Sequence, residues 1–105
     1  MVIDTEKVVR MAELQIEPAH IAAYTALLAE EIEASVAKEA GVLMLHAVAV
    51  KGSPANIRIL EVYASREAYE AHLKTAHFLK YKTATADMVK SLDLVELDPI
   101  AMRAK

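Results

Sequence analysis

The chain has no cysteine and no tryptophan, and its 105 residues include only two glycines and three prolines. The absence of cysteine excludes disulfide bonds, thiolate catalysis and sulfur-bound zinc. No apolar run reaches the roughly 18 residues that a membrane-spanning helix needs, and the N-terminal residues lack the charged-then-apolar order of a signal peptide. We therefore expect a soluble protein of the cytoplasm with no membrane partner.

Basic residues are few and dispersed. The twelve Lys and Arg side chains form no stripe or patch along the sequence, and the formal net charge is −3. A surface that binds nucleic acid depends on clustered positive charge. We therefore expect no nucleic-acid partner.

Aliphatic side chains, in contrast, are in excess. Hydrophobic residues make up 55% of the sequence although aromatic residues make up only 5%. At this length we expect one domain, residues 1–105, and a lone domain of this size hides only about 65% of its unfolded surface. The surplus apolar surface needs a cover, and a second subunit is the simplest one.

The first part of the chain predicts a strand followed by a long helix. Residues 7–16 are rich in β-branched and apolar side chains and end before Pro18, which suits the first turn of a helix. Gly41 marks the end of that helix. Between them an apolar stripe recurs at helical spacing: Ile21, Tyr24, Leu28, Ile32 and Val36.

The second part predicts a hairpin, two helices and a last strand. Residues 42–50 and 57–63 read as strands joined by the turn 51–56. Ser65 is a good N-cap for a short helix, and Thr75 for another. The second of these helices carries the stripe Phe78, Tyr81, Thr85, Met88 and Leu92. Strand character returns at 93–97.

The resulting order, βαββααβ, is that of an α+β ferredoxin-like fold: an antiparallel four-stranded sheet whose helices lie on one face. The strand at 42–50 is apolar on both sides, whereas a sheet with one solvated face alternates apolar and polar residues. We expect the second face to pack against the same face of another copy, which gives a homodimeric α/β barrel. The alternative is a sheet buried within one subunit by its own helices and tail.

The sequence also resembles the antibiotic biosynthesis monooxygenase (ABM) family over nearly its whole length. The matching features are the Glu39-Ala40-Gly41 step into the second strand, Glu61 and Tyr63 at the end of the third, Ser65 with Ala68 and Tyr69, and the run His72-Leu73-x-Thr75-x-His77-Phe78. The quinol monooxygenase-like branch is the most similar. The resemblance implies a dimeric α/β barrel that oxidises hydroquinone-type rings with dioxygen and needs no flavin, haem or metal.

Other branches of that family degrade haem or act as isomerases on signalling sugars. The Asn, Trp and His set of the haem-degrading members cannot be mapped here, because tryptophan is absent and Asn56 is the single asparagine. Without the tryptophan of some polyketide-oxidising members, a small quinol or enol is the more suitable substrate.

His72 and His77 are the candidate catalytic residues. On one continuous helix a separation of five residues places them about 140° apart, which does not suit a metal site, and we predict none. A helix break at Lys74-Thr75 would let both rings converge on one cavity, where an imidazole could take a proton from the substrate. Alternatively, His72 caps the end of its helix and His77 lies at the rim of the next.

The predicted substrate-binding residues surround the same region: Glu61, Tyr63, Phe78, Tyr81, Met11 and Met44. Glu61 is flanked by apolar neighbours, so it must be paired with Arg10 or Arg58, protonated, or facing a cavity. His46 lies on the Met44 side of its strand and is more suited to an interface.

Two classes of function are compatible with these residues. The first is a cofactor-independent monooxygenase, with an isomerase of a small carbonyl metabolite as a variant that uses the same acid and base groups. The second is a non-catalytic ligand-binding dimer that keeps the fold without the chemistry.

Overall fold

A computed structural model of the protein describes residues 6–105. The elements follow the order that the sequence predicts: β1 (Val8–Ile16), α1 (Ile21–Lys38), β2 (Val42–Val50), β3 (Ser53–Tyr63), α2 (Arg66–His72), α3 (Ala76–Thr85) and β4 (Val89–Leu97). A single 3-10 turn, Pro18–His20, leads into α1. In the described part of the chain, no helix is long and apolar enough to cross a membrane.

The four strands form one antiparallel sheet in the order β2-β3-β1-β4. β1 is central, and its Arg10 lies opposite Glu61 of β3 and Glu96 of β4. This topology confirms the predicted α+β ferredoxin-like fold.

The main hydrophobic core lies between α1 and one face of the sheet. Tyr24 and Leu28 of α1 pack there against buried aliphatic residues of the two inner strands: Ala12, Leu14, Ile16, Ile57 and Ile59. Because side chains alternate along a strand, this face also receives Arg10 and Glu61. Two charged side chains of neighbouring strands therefore lie under the helices.

Three element boundaries differ from the sequence prediction. β3 begins at Ser53, so the hairpin turn is only Lys51-Gly52, and Gly52 takes φ +80°, which favours glycine. α3 ends at Thr85, and the chain enters β4 at Val89. The stripe predicted to run on to Leu92 is wrong beyond Thr85, because the last two members of that spacing belong to a turn and a strand.

The predicted apolar stripe of α1 is confirmed except at its last member. Tyr24 and Leu28 are buried, and Ile21 and Ile32 are partly buried against the same core. Near the end of the helix Glu31 and Ser35 are buried, whereas Val36 is 50% exposed. The helix therefore turns two polar residues towards the interior.

The opposite face of the sheet carries Met11, Met44, His46 and Leu60, according to the strand registers. Apolar residues of the outer strands are exposed there, with Val48 61% and Val95 41% accessible. Arg58 pairs on this face with Glu13 at 3.2 Å, so it is not the partner of Glu61.

Candidate functional site

A cavity of about 580 Å³ lies between the helix-covered face of the sheet and the three helices. Most of its wall is apolar or aromatic, with Leu28, Ile59, Phe78, Leu92 and Leu94 among the lining residues. A volume of this size accommodates a small organic molecule. The polar groups that reach the wall are therefore those that could orient or react with a ligand.

Two helix caps create the break that positions the histidines. The Ser65 hydroxyl oxygen accepts a hydrogen bond from the Ala68 N–H at 3.1 Å and starts α2. Thr75 Oγ accepts from the Phe78 N–H at 3.3 Å and starts α3, while its hydroxyl donates to the His72 carbonyl at 2.8 Å. The predicted caps are confirmed, and the chain direction changes between His72 and His77.

Both histidines contact a single oxygen of Glu39. Nδ1 of His72 lies 2.9 Å from Glu39 Oε2, and Nε2 of His77 lies 2.6 Å from the same atom. Partial burial on its own raises the pKa of Glu39, but the hydrogen bonds that the two imidazoles donate and their electrostatic effect outweigh it and hold the pKa below its usual value. An ionised carboxylate only accepts hydrogen bonds, so both nitrogens act as donors.

The second nitrogen of His72 faces another carboxylate. Nε2 lies 3.5 Å from Glu31 Oε1, which also accepts a hydrogen bond from the Ser35 hydroxyl at 2.6 Å. His72 and Glu31 both line the cavity and are buried. With Nδ1 directed to Glu39, Nε2 is the atom of His72 that is available on the cavity side.

Glu61 is the second acidic group of the cavity. Burial raises its pKa, and this effect exceeds the opposing influence of the hydrogen bond that Tyr63 donates at 2.6 Å and of the charges of Arg10 and His72. Arg10 lies across from Glu61 in the strand register, with its guanidinium 4.6 Å from the centre of the Tyr69 ring. Glu61 thus lines the cavity, where burial favours its neutral form more than water does.

Aromatic rings form a continuous wall around His72. Its ring centroid lies 5.3 Å from that of Tyr63 and 5.0 Å from that of Phe78. Farther along, the hydroxyls of Tyr81 and Tyr24 are 2.6 Å apart. Burial raises the pKa of Tyr63 and of Tyr81, so both phenols stay neutral.

The structure brings together five of the eight residues that the sequence singles out. His72, Glu61, Tyr63, Phe78 and Tyr81 line the cavity. His77 is not among its lining residues and contacts the site through Glu39.

The other two, Met11 and Met44, lie on the opposite face of the sheet, because their strand positions alternate away from the helices. They cannot line this cavity.

Sequence reasoning missed Glu31 and Glu39 as members of the site. For Glu31 a signal existed, since the spacing 24, 28, 31, 35 fits one helix face as well as the all-apolar stripe does. For Glu39 no local pattern pointed to its histidine partners, which follow 33 and 38 positions later in the chain.

Comparison with known proteins identifies relatives for this fold and site. The family model described as antibiotic biosynthesis monooxygenase matches residues 7–84. A candidate antibiotic biosynthesis monooxygenase from Bacteroides thetaiotaomicron is 42% identical, with a TM-score of 0.95 over 97% of this chain and 99% of that one.

More distant structures agree in fold. A candidate monooxygenase from Lactobacillus acidophilus is 30% identical with a TM-score of 0.83, and the match covers 85% of this chain and 42% of that chain. A candidate antibiotic biosynthesis monooxygenase from Caulobacter crescentus, 22% identical, has a TM-score of 0.85 over 94% of both chains. A comparison with curated proteins found no match.

Proposed function

Because this chain belongs to the antibiotic biosynthesis monooxygenase family, we propose that it is a cofactor-independent monooxygenase of a small quinol or enol-type substrate. The observation that carries the proposal is the environment of His72, a buried imidazole that lines an aromatic-walled cavity and whose Nδ1 is held by Glu39. A planar, electron-rich ring suits such a wall.

His72 acts as the general base in this proposal. Its Nε2 takes the hydroxyl proton of the substrate, because only the anion gives an electron readily to dioxygen. The oxidised carbon then bonds to oxygen, and the proton held by His72 passes to the outer oxygen to complete a hydroperoxide. Where that carbon still bears a hydrogen, loss of water leaves a new carbonyl group, so the substrate supplies all four electrons and no external reductant is required.

Glu61 and the apolar wall complete the chemistry. In its protonated form, which burial favours, the Glu61 carboxyl group donates a hydrogen bond to a substrate oxygen, while the hydrogen bond from Tyr63 keeps it in place. The wall excludes water and so protects the radical or peroxide from side reactions. Glu39 does not line the cavity and is a positioning residue that fixes the tautomer of His72.

Oxygen uptake with a panel of hydroquinones and enols tests the proposal. We expect His72→Ala to lower kcat by about 10²–10⁴-fold, the usual contribution of a general base. His20→Ala is the matched control, because His20 is exposed in the turn before α1 and its side chain makes no cap hydrogen bond. Equal uptake rates for wild type and His72→Ala, with a substrate that the enzyme turns over, would exclude His72 as the base.

Isomerisation of a small carbonyl metabolite is the second candidate, favoured by the presence in one cavity of an imidazole, His72, and a carboxyl group whose pKa is raised by burial, Glu61. Proton exchange into such a substrate would proceed without oxygen. Turnover that continues unchanged under anaerobic conditions therefore assigns the protein to this class, and turnover that stops assigns it to the monooxygenases.

We also propose a homodimer formed through the sheet face that carries Met11, Met44 and His46. The support is the exposure of apolar side chains on that face, Val48 above all. Sedimentation at micromolar concentration should give twice the chain mass for the wild type and a lower mass for Val48→Asp. A folded wild-type monomer at that concentration would contradict the dimer. The cytoplasmic location stays a prediction.

A further inference from the structure

We propose that Glu39, His72 and His77 form a binding site for a divalent transition-metal ion on the Glu39 side of His72. Their donor atoms, one carboxylate oxygen and two imidazole nitrogens, all lie within 4.8 Å of one another. Zinc holds such ligands at about 2.0–2.2 Å, which separates tetrahedral donors by about 3.3–3.5 Å. The two oxygen-nitrogen distances of 2.9 and 2.6 Å need to widen by less than an ångström.

The site is built from three separate elements of the chain. Glu39 directly follows α1, His72 is the last residue of α2, and His77 lies in the first turn of α3. In the metal-free arrangement the carboxylate oxygen accepts two N–H groups, so an ion would take the place of the two protons that now hold these residues together. It would connect the ends of all three helices.

His72 also has the outer partner that a metal-bound histidine needs. Ligating imidazoles almost always direct their second nitrogen to a carboxylate or carbonyl, which fixes the ring. Here Nε2 of His72 lies 3.5 Å from Glu31, and Glu31 accepts a hydrogen bond from Ser35. Glu31 itself is not one of the three ligands and lies within α1.

An ion can reach the site from solvent. The side chains of Glu39 and His77 are 13% and 16% exposed, whereas that of His72 is 4% exposed. Three protein ligands leave one coordination position for water. Two imidazoles with one carboxylate suit Zn²⁺, Co²⁺ or Ni²⁺ and do not suit Mg²⁺ or Ca²⁺, which prefer oxygen ligands.

The prediction of no metal site depends on the carboxylates that lie near the histidines in sequence. Glu39, which follows the C-terminal end of α1, instead supplies the third ligand. Because Glu39 and His77 do not line the cavity, the ion would not contact the substrate.

Metal binding is tested on the full chain after treatment with a chelator. CoCl₂ titration should give a visible absorption band that saturates at one ion per chain, and ZnCl₂ should remove the band and raise the urea midpoint. MgCl₂ should do neither. Glu31→Gln removes only the outer partner of His72 and should weaken Co²⁺ binding by about 10–100-fold. His77→Ala and Glu39→Gln each remove a ligand and should weaken Co²⁺ binding more than that.

His46→Ala keeps the three ligands and is the control for surface histidines. The site is disproved if wild type and His77→Ala bind Co²⁺ equally, or if wild type gives no band. Neither result depends on enzymatic activity, so the metal site and the proposed function can fail separately. One consequence does rest on the proposed function: with an ion on Nδ1, the single proton of the neutral imidazole lies on Nε2, which then cannot accept the substrate proton, so Zn²⁺ should slow oxygen uptake by the wild type.

Discussion

Substituting Gly41 by alanine tests the close contact that seats α2 against the start of β2. A Cβ at position 41 would lie 2.5 Å from the Cβ of Ala68 and 3.6 Å from its Cα. Because carbon atoms pack at about 3.5–4.0 Å, α2 would have to move by roughly 1 Å. Overpacking of this kind costs about 1–3 kcal/mol of unfolding free energy. His72, at the end of α2, would move with the helix.

A double-mutant cycle separates this steric effect from other consequences of the substitution. Ala68→Gly removes the carbon that a new Cβ would meet, and alone it should cost about 0.5–1 kcal/mol because glycine weakens a helix. With both changes the steric cost should disappear, giving a favourable coupling of about 1–3 kcal/mol, within the range for residues in contact. Urea unfolding followed by circular dichroism measures each free energy by linear extrapolation.

Gly52 provides the matched control. No atom outside its immediate neighbours lies within 4 Å of a Cβ there, but its φ is +80°. Gly52→Ala should therefore cost about 1–2 kcal/mol through backbone strain alone, and Ala68→Gly should not reduce that cost. If the Gly41→Ala/Ala68→Gly variant loses the full sum of the two single losses, the close-contact explanation for Gly41 is refuted.

Two further variants test other parts of the site. Glu61→Gln keeps an acceptor for Tyr63 and removes the buried charge. Because the pKa of Glu61 is raised in the folded protein, its contribution to the free energy of unfolding is fully present at pH values below its ordinary pKa. That contribution declines as the pH rises through the pKa of the folded protein. The stability gain of Glu61→Gln should thus grow from acidic to neutral pH, as measured by thermal unfolding. Ser65→Ala should cost about 1 kcal/mol in urea unfolding by removing the cap of α2.

A specific result would contradict each of the expectations for Glu61→Gln and Ser65→Ala. A Glu61→Gln advantage that shrinks as pH rises would mean that the carboxylate is stabilised in its charged form. For the cap, Ser91→Ala is the control, since Ser91 is exposed on β4 and caps no helix. Equal losses for the two serine variants would show that Ser65 does not start α2.

The fold was predictable because its signals are local. Ser65 and Thr75 are recognisable as helix N-caps because each accepts a hydrogen bond from a backbone N–H only three residues later. The apolar pattern of 42–50 likewise predicts a strand without knowledge of its neighbours. The end of α3 was not predictable in this way, because Met88 continues the helical spacing although the chain has already left the helix.

The site was predictable only in part, because the sequence does not show which face of the sheet the helices cover. Alternation places Glu61 and Tyr63 on one side of β3, but which side the helices cover is decided by packing over the whole sheet. Met11 and Met44 were assigned to the cavity on residue type, and their strand registers place them on the reverse face. The partners of Glu39 depend on a tertiary contact across more than thirty residues.

The interruption between α2 and α3 allows α3 to take a direction that is independent of α2. Because α3 starts anew at Thr75, the side chains that follow can change position without disturbing the hydrogen-bonded pairs of the sheet. An insertion or deletion at Leu73–Lys74 would change how far Phe78 and Tyr81 extend into the cavity, while the strand register of the sheet would stay the same. A change of length between α2 and α3 would therefore be enough to give a relative a different ligand.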